Sequence, residues 1–577
     1  MWKPMLPTLV NEAPSGNEWI YQVKYDGFRC GLQWTDQDVT LWSRNGHNLS
    51  RSFPEIISWC QQHTSRFQSY LPLFLDGELI ISITAYRTDF EQIQKRSRTK
   101  KNVNQFSQNR PATFVAFDLL ESKAQDLRKK SFSKRDQILS TILEGITGRI
   151  RKVPTFEKLD SILEVVDIHQ AEGMVAKQKK AIYTEGKRSN TWLKIKNFRT
   201  IPGIVTNWNT ENDYLTLQYY HNETLCILGK CKNGLEQGEK ETLTTFFKRY
   251  GQKVNGTTWE LAPSVCMDIN CLSAEDQELR EPVFHQFRFD IKPTDCNQLT
   301  IDQGLAQFPS AVNLSRLEKE LFPAVTKLNY LCYLRWIAPF MLPGLKDRRL
   351  TLIRFPDGIH EHSFYQKHLP DYAPSFIQTI PNNDGEMDIL CQDLQSLIWF
   401  GNHGGLEFHV PFNKINKIDP EEIVFDLDPP SLDQFFIAVR AANLIKEMME
   451  HQGFTPLVKT SGRTGLQVHI PIHNMTYDET RTLMEATAKV LVDSEPDHFT
   501  IERLKKNRGN RLYIDYVQHA PGKTIIAPYS TRATDEATVA TPLFWNEVTE
   551  TLDPRKFTIH TIPTRIKEKG CPFNLVT

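Results

Sequence analysis

The sequence predicts a multidomain α+β protein, and three observations carry that prediction. At 577 residues the chain exceeds what one hydrophobic core organises, so three or four domains are expected. Short runs with period-two alternation are interleaved with helical segments in both halves of the chain. From Ile201 to about residue 290 the pattern changes to short strands with turns at Glu211-Asn212-Asp213 and Asn233-Gly234 and one helix over 239–250. That combination suits a small β-barrel.

Composition excludes several classes. Hydrophobic residues make up 40% and charged residues 24%, an ordinary globular balance. Lys+Arg and Asp+Glu both number 69, so net charge gives no sign of nucleic acid. The cations are nonetheless grouped, at Lys95, Arg96, Arg98, Lys100 and Lys101 and again at Arg503, Lys505, Lys506, Arg508 and Arg511. The 10 cysteines are scattered, which fits a reducing, cytoplasmic setting rather than a secreted disulfide scaffold. Cys226/Cys231 and Cys266/Cys271 have spacing at the edge of zinc sites, but their strand-like apolar context favours packed thiols. No apolar leader opens the chain and no stretch is long enough to span a bilayer.

The first stretch with chemistry is Val23-Lys24-Tyr25-Asp26-Gly27-Phe28-Arg29. Trp19 to Val23 reads as a strand that Gly27 breaks. A lysine at its end makes sense as a nucleophile, because an amine that has lost its proton attacks phosphorus. Arg29 can reach back to phosphate oxygens. Asp38 to Trp42 is a further strand, ending in Ser43-Arg44-Asn45-Gly46, a turn with Arg44 at its lip. A helix follows from Pro54. Leu73 to Ile80 is a buried strand carrying Asp76 and Glu78 on one face, and an acid inside an apolar strand needs a partner or a job. Ala112 to Leu120 is another strand, with Phe117 and Asp118 near its end. Glu172 enters the apolar strand Gly173 to Lys177, and Trp192 to Lys196 alternates so that Lys194 and Lys196 face the same way.

Together these pieces supply a nucleophile, cations for a triphosphate, acids for a metal and an aromatic for a base. The ordered set KYDGFR, SRNG, DGEL, FDLL, EGMVAK and WLKIK resembles the covalent nucleotidyltransferase superfamily, and most closely the ATP-dependent DNA ligases. The resemblance implies an ATP-grasp-like adenylation domain over residues 1–200. It implies that Lys24 takes AMP from ATP, that Arg29 and Arg44 hold phosphate, and that Glu78 contacts the ribose or orients the pocket. Phe117 would stack on adenine and Gln22 would meet its edge. Glu172 would help bind a metal, and Lys194 and Lys196 would contact the α-phosphate. It also implies an OB-fold β-barrel over 201–296, whose last segment, Leu279 to Lys292, resembles the motif that orients pyrophosphate.

Residues 297–312 lack periodicity and read as a linker, and a second globular region follows over 313–577. A helix covers Lys327 to Met341. Its informative stretch is Ile423-Val424-Phe425-Asp426-Leu427-Asp428-Pro429-Pro430, where two aspartates alternate at the end of an apolar strand and point the same way. Close carboxylates raise each other's pKa unless a cation lies between them, and Mg²⁺ or Mn²⁺ is the natural one. Asp515, in a similar strand, completes the set. Ser431 reads as the cap of a helix ending near Gly453. Lys459 to Gly465 is a loop of glycines, hydroxyls and cations between two strands, suited to a triphosphate.

The ordered segments RFPDG, FYQK, WFGNHGGLEFHV, FDLDPP, SGRTGLQVHIP, IDYVQH and APYSTRA resemble the archaeo-eukaryotic primase-like (RRM-like) polymerase domain of bacterial ligase D. That resemblance implies Asp426, Asp428 and Asp515 as metal-binding catalytic acids, His409, Ser461 and Arg532 as contacts to the incoming NTP or dNTP, and Phe364 as a stacking ring. Gln467 stands where many relatives have histidine and Thr464 where many have lysine. The whole chain then reads as a bifunctional enzyme of non-homologous end joining, ligase first and polymerase second. It implies ATP and Mg²⁺ or Mn²⁺ as cofactors, double-stranded DNA ends and nicks and a Ku homodimer as partners, and a cytoplasmic, nucleoid-associated location. The alternatives are an RNA-repair or capping nucleotidyltransferase and a non-catalytic DNA-end scaffold.

Overall fold

A computed structural model describes residues 2–99 and 103–575 of the chain. Lys100 and Lys101 of the first basic run lie outside the described residues, as does the side chain of Lys505. The chain divides into two compact units, Met1–Leu305 with Lys567–Gly570, and Ala306–Ile566 with Cys571–Thr577.

In the first unit the segment Trp19–Lys24 is a strand, as its apolar run predicts, and every residue but Lys24 is buried. It belongs to a sheet ordered Leu6–Leu9, Arg188–Lys196, Gly173–Gln178, Trp19–Lys24, Thr155–Phe156. The chain then crosses at Tyr25-Asp26-Gly27 into a second sheet, ordered Val39–Ser43, Phe28–Trp34, Leu73–Ile80, Thr113–Ser122, Gln125–Asp126, with Ile150–Lys152 beside Thr113–Ser122. Gly27 permits that crossing, because a Cβ there would collide with the Leu79 carbonyl. Lys24 therefore sits where the two sheets meet.

The acids that the sequence placed in apolar strands are resolved in different ways. Asp118 is buried against Arg135, which donates to both carboxylate oxygens at 2.7 and 2.8 Å. Asp76 is bound by Arg29 and by the Tyr183 hydroxyl. Glu78 lines the cleft between the sheets. Arg96 of the first basic run is not on a solvated face: it is buried, bonded to the Ser52 carbonyl and to Glu55.

A third, antiparallel sheet follows, ordered Thr224–Cys231, Leu215–His221, Arg199–Asn209, Thr258–Cys271, Gln252–Lys253, with Val283–Arg288 beside Thr258–Cys271. The helix Gln237–Tyr250 packs Leu243 and Phe247 against it, giving the barrel-type domain that the strand pattern predicts. Cys231, Cys266 and Cys271 are buried in this sheet as free thiols. Where residues 297–312 were expected to form a linker, Gln298–Ala306 is an α-helix. Asn297 starts it by accepting from the Thr300 N–H at 3.1 Å, Ile301 enters the barrel core, and Gly304 lies so close to the Thr200 carbonyl that a Cβ would clash. Tertiary docking makes this helix where periodicity alone does not mark it.

The second unit has two principal sheets. One is ordered Phe364–Gln366, Thr351–Arg354, Gly405–Pro411, Thr524–Ile526; the helices Lys327–Leu345 and Leu394–Asn402 pack together beside it. The other is ordered Phe499–Thr500, Leu512–Asp515, Glu422–Asp428, Leu466–Pro471, Leu457–Thr460, Pro542–Leu543. Alternation divides its faces. Ile423, Phe425, Leu427, Val468 and Ile470 pack under the helices Phe435–His451 and Tyr477–Ser494. Glu422, Asp426, Asp428, Gln467 and His469 take the opposite face. Ser431 makes no capping hydrogen bond: Leu432–Gln434 form a 3-10 turn before the long helix, so the proline stop is followed by a turn rather than a capped helix. No helix among the described residues is long and apolar enough to cross a membrane.

One buried cation gives the first unit a pH signature. Lys177 donates to the Phe117 carbonyl at 2.9 Å and lies 4.0 Å from the centre of the Trp192 ring. Burial pulls its amine down to about 7, against the opposing charge of Asp118. The unfolded chain keeps that proton to about pH 10.4. Between the two values the unfolded state binds more protons, so this residue adds stability as pH rises. Unfolding of the native chain and of Lys177→Met at pH 7 and pH 9.5 checks it. The difference should move toward the native chain by at most about 1.4 kcal/mol per pH unit, and a pH-independent difference contradicts it.

Candidate active sites

The first cleft is built by strand register. Lys24 pairs with Gly173, and Gly173 with Lys196, so one rung brings the lysine, the start of the acid-bearing strand and the second lysine of WLKIK together. Gly173 has φ +148°, and a side chain there would strike the Ile195 carbonyl, so only glycine lets the three strands close up here. Glu172, just before it, accepts from Lys24 Nζ at 2.5 Å. Its other carboxylate oxygen is buried with no partner. Val175 pairs with Lys194, which lines the same cleft.

The cleft brings together Gln22, Lys24, Arg29, Arg44, Glu78, Phe117 and Lys194 of the residues expected from sequence. Burial pushes the Glu78 carboxyl up to about 8, against the pull of Lys24 and Arg29. Burial also lowers Lys194, and neighbouring Lys24 adds to that shift. Gln22 is buried, with its amide nitrogen 3.3 Å from the Thr155 hydroxyl and its Oε1 unpartnered. Arg29 is more committed than sequence reading expects. Its guanidinium grips Asp76 at 2.7 and 2.6 Å, bonds the Met5 carbonyl and lies 4.6 Å from the centre of the Phe117 ring. Arg44 is exposed at the rim.

Lys196 is pulled down to about 8 by burial and by Lys194. It is paired with Glu281, while Arg280 beside it is paired with Asp26. The segment Leu279 to Lys292 thus meets the cleft through Arg280 and Glu281, whereas Arg288 is held by Asp268 and Asp290. Sequence reasoning gave no role to Lys177 or Arg188, both of which line the cleft. Lys177 stood inside the EGMVAK motif; Arg188 had no signal.

In the second unit Asp426 lies opposite Asp515 on the neighbouring strand, and Asp428 is two residues on along the same face. Burial pushes Asp426 up to about 7, with the charges of Asp428 and Asp515 adding to it. Asp515 accepts the N–H groups of Val517 and Gln518 at 2.9 Å. The loop Ser461–Gly465 is brought against these acids: a Cβ on Gly465 would meet Asp428, and one on Gly462, at φ +76°, would meet Arg532. Ser461 turns its hydroxyl into this loop, accepting the N–H of Arg463 at 3.3 Å and of Gly465 at 3.0 Å. Thr464 is exposed on it. Lys459, read from sequence as a loop cation, is instead in the strand Leu457–Thr460 and fully buried.

Glu407 is the hub that sequence reading missed. It is buried and accepts from Arg463, from the Ala533 N–H and from His409, all at 3.1 Å, with Arg532 at 3.5 Å. Burial raises its carboxyl, but His409 and Arg532 outweigh that and hold it down to about 2. Burial lowers His409, with Glu407 opposing. Phe364 is partly exposed, its ring centre 5.1 Å from the Arg354 guanidinium. The orphaned oxygen of Glu172 and the carboxylates of Asp426, Asp428 and Asp515 are oxygen donors of the kind a divalent cation takes, but no group of three or more metal-ligating side chains is assembled among the described residues.

Residues 4–196 match the family described as ATP dependent DNA ligase domain, and residues 326–573 match LigD, primase-polymerase domain. The chain is 38% identical to the bifunctional non-homologous end joining protein LigD of Bacillus subtilis, over 99% of this chain and 96% of that protein. It is 24% identical to the multifunctional LigD of Pseudomonas aeruginosa, over 98% of this chain and 71% of that one. A solved polymerase domain of Mycobacterium tuberculosis ligase D in complex with DNA is 26% identical, covers 46% of this chain and 97% of its own, and superposes with a TM-score of 0.43. With a ligase domain followed by a primase-polymerase domain, and a bifunctional relative matched from end to end, the chain belongs to the LigD family of non-homologous end joining proteins.

Proposed function

We propose that the two clefts act in sequence on a broken DNA duplex, the second unit extending or filling the end and the first sealing the remaining nick. The observation that carries the ligase half is the lysine–carboxylate contact at 2.5 Å in a cleft lined by cations. Lys24 Nζ gives its proton to Glu172 and attacks the α-phosphorus of ATP. An N–P bond forms as the bond to pyrophosphate breaks. Lys194 and Arg44 offset charge on the phosphates, and Phe117 stacks on adenine. A 5′-phosphate oxygen then displaces the lysine to take AMP, and the 3′-hydroxyl displaces AMP to close the backbone. Lys196 and Arg29 join the phosphate contacts only as Glu281 and Asp76 release them.

In the second unit Asp426, Asp428 and Asp515 would hold a divalent cation, which would supply Lewis-acid stabilisation of the phosphates. His409, Ser461 and Arg532 hold the triphosphate of an NTP or dNTP, oriented by Glu407. The 3′-hydroxyl attacks the α-phosphorus and pyrophosphate leaves. Domain limits of 1–200, 201–296 and 313–577, Mg²⁺ or Mn²⁺ as metal, DNA ends and a Ku homodimer as partners, and a cytoplasmic, nucleoid-associated site of action complete the reading. These rest on family likeness.

The capping alternative is disfavoured by Gln22. Its unpartnered Oε1 accepts from the exocyclic amine of adenine and repels the O6 of guanine. Gln22→Leu should raise the KM for ATP in self-adenylation about 10-fold with little change in kcat; an unchanged KM contradicts the assignment. The two halves separate on a gapped duplex. Lys24→Ala should fill the gap but leave the nick open. Asp426→Ala should seal a ready-made nick yet lose nucleotide addition by about 100-fold or more. Loss of both activities in either variant contradicts two independent sites.

A further inference from the structure

Four residues form a continuous rung across the polar face of the second unit's six-stranded sheet. Lys459 lies opposite Gln467, Gln467 opposite Asp426, and Asp426 opposite Asp515, all in antiparallel register. Side chains directly opposite one another share a face at about 5 Å. Lys459 and Gln467 are both buried. Lys459 Nζ donates to Gln467 Oε1, and Gln467 Nε2 donates to Asp426 Oδ1 at 3.1 Å.

This order of bonds has a directional consequence. A glutamine amide presents an acceptor on one side and a donor on the other, and the two have nearly the same shape. Turned over, Gln467 would aim its carbonyl at the Asp426 carboxylate, acceptor against acceptor. A lysine ammonium is the group that disfavours this, because it only donates and so requires the amide carbonyl to face it. A histidine at position 467 would meet the acid through a ring N–H set by its tautomer. A glutamine needs its orientation fixed from outside, and Lys459 stands on the strand that flanks Gln467 on the side away from Asp426.

We infer that Lys459 is a positioning residue of the polymerase site, acting through Gln467 to hold Asp426 with one carboxylate oxygen engaged and the other presented to a divalent cation. The inference rests on the assignment of Asp426 as a metal-binding acid. It predicts that Lys459 acts on metal binding and on the chemical step, not on the nucleotide contacts made by His409, Ser461 and Arg532.

The test is a double-mutant cycle in the full-length protein. Mn²⁺ binding is followed by electron paramagnetic resonance of the free ion, and the contribution of other sites is removed by subtracting the Asp426→Ala variant. Nucleotide addition is measured on a primed template. Lys459→Met should weaken Mn²⁺ binding at this site about 10-fold and lower kcat, with the KM for nucleotide within about twofold of native. Lys459→Arg, which keeps a donor-only group, should recover most of the loss. Gln467→Leu should show the same defect, and Lys459→Met with Gln467→Leu should be no worse than Gln467→Leu alone. Unchanged Mn²⁺ affinity in Lys459→Met, or losses that add in the double variant, overturns the inference. If Lys459→Met does not fold, Gln467→Leu decides: a 10-fold loss supports the relay and native affinity overturns it. Nucleotide addition surviving in Asp426→Ala would instead remove the assignment on which it rests.

Discussion

The first unit is organised by the need to keep one lysine amine against one carboxylate at the seam of two sheets. Lys24 ends a strand whose other residues are buried on both faces, so its backbone has no freedom to withdraw. Glu172 reaches it because Gly173 lets neighbouring strands approach closely, and Gly27 lets the chain turn at once into the second sheet. A side chain at either glycine would part the sheets or move the carboxylate. The surrounding cations, Lys194 and Lys196, are lowered by burial and by neighbouring positive charge, Lys24 acting on both, a state in which added negative charge is welcome. The same cleft therefore favours an anionic ligand beside the Lys24 amine and its Glu172 partner.

The second unit meets a related constraint with the opposite sign. Its sheet gives one face to a helical core and gathers acids on the other. Asp426 is pushed up to about 7 by burial and then by the charges of Asp428 and Asp515, so positive charge brought to this face would be stabilised. Glu407 does the reverse nearby. It collects Arg463, Arg532 and His409, so two guanidinium groups are held on a buried carboxylate of their own beside the aspartates.

Much of this was legible in the chain because strands carry their message in period two. Lys24, the pair Asp76 and Glu78, Lys194 with Lys196, and Asp426 with Asp428 all lie on strands that the pattern marks, and the turn glycines mark where the strands end. What stayed hidden is what tertiary packing alone decides. Arg135 finding Asp118, Glu407 gathering two arginines and a histidine, Glu281 taking Lys196, and Lys459 lying opposite Gln467 join residues that no local pattern connects. The helix Gln298–Ala306 was read as linker because its apolar positions are few and its stability comes from docking. Arg96, grouped by sequence with a basic run, is buried because Glu55 on a different helix pairs with it.

The account stands on Lys24 being the atom that carries AMP. The direct measurement is peptide mass mapping of the full-length protein after incubation with ATP and Mg²⁺, with a parallel sample first treated with pyrophosphate to discharge any AMP already bound. The account predicts a single AMP on the peptide containing Lys24, joined through an acid-labile phosphorus–nitrogen bond and absent from Lys24→Ala. An adduct on Lys194 or Lys196, or no adduct in either sample, would contradict it.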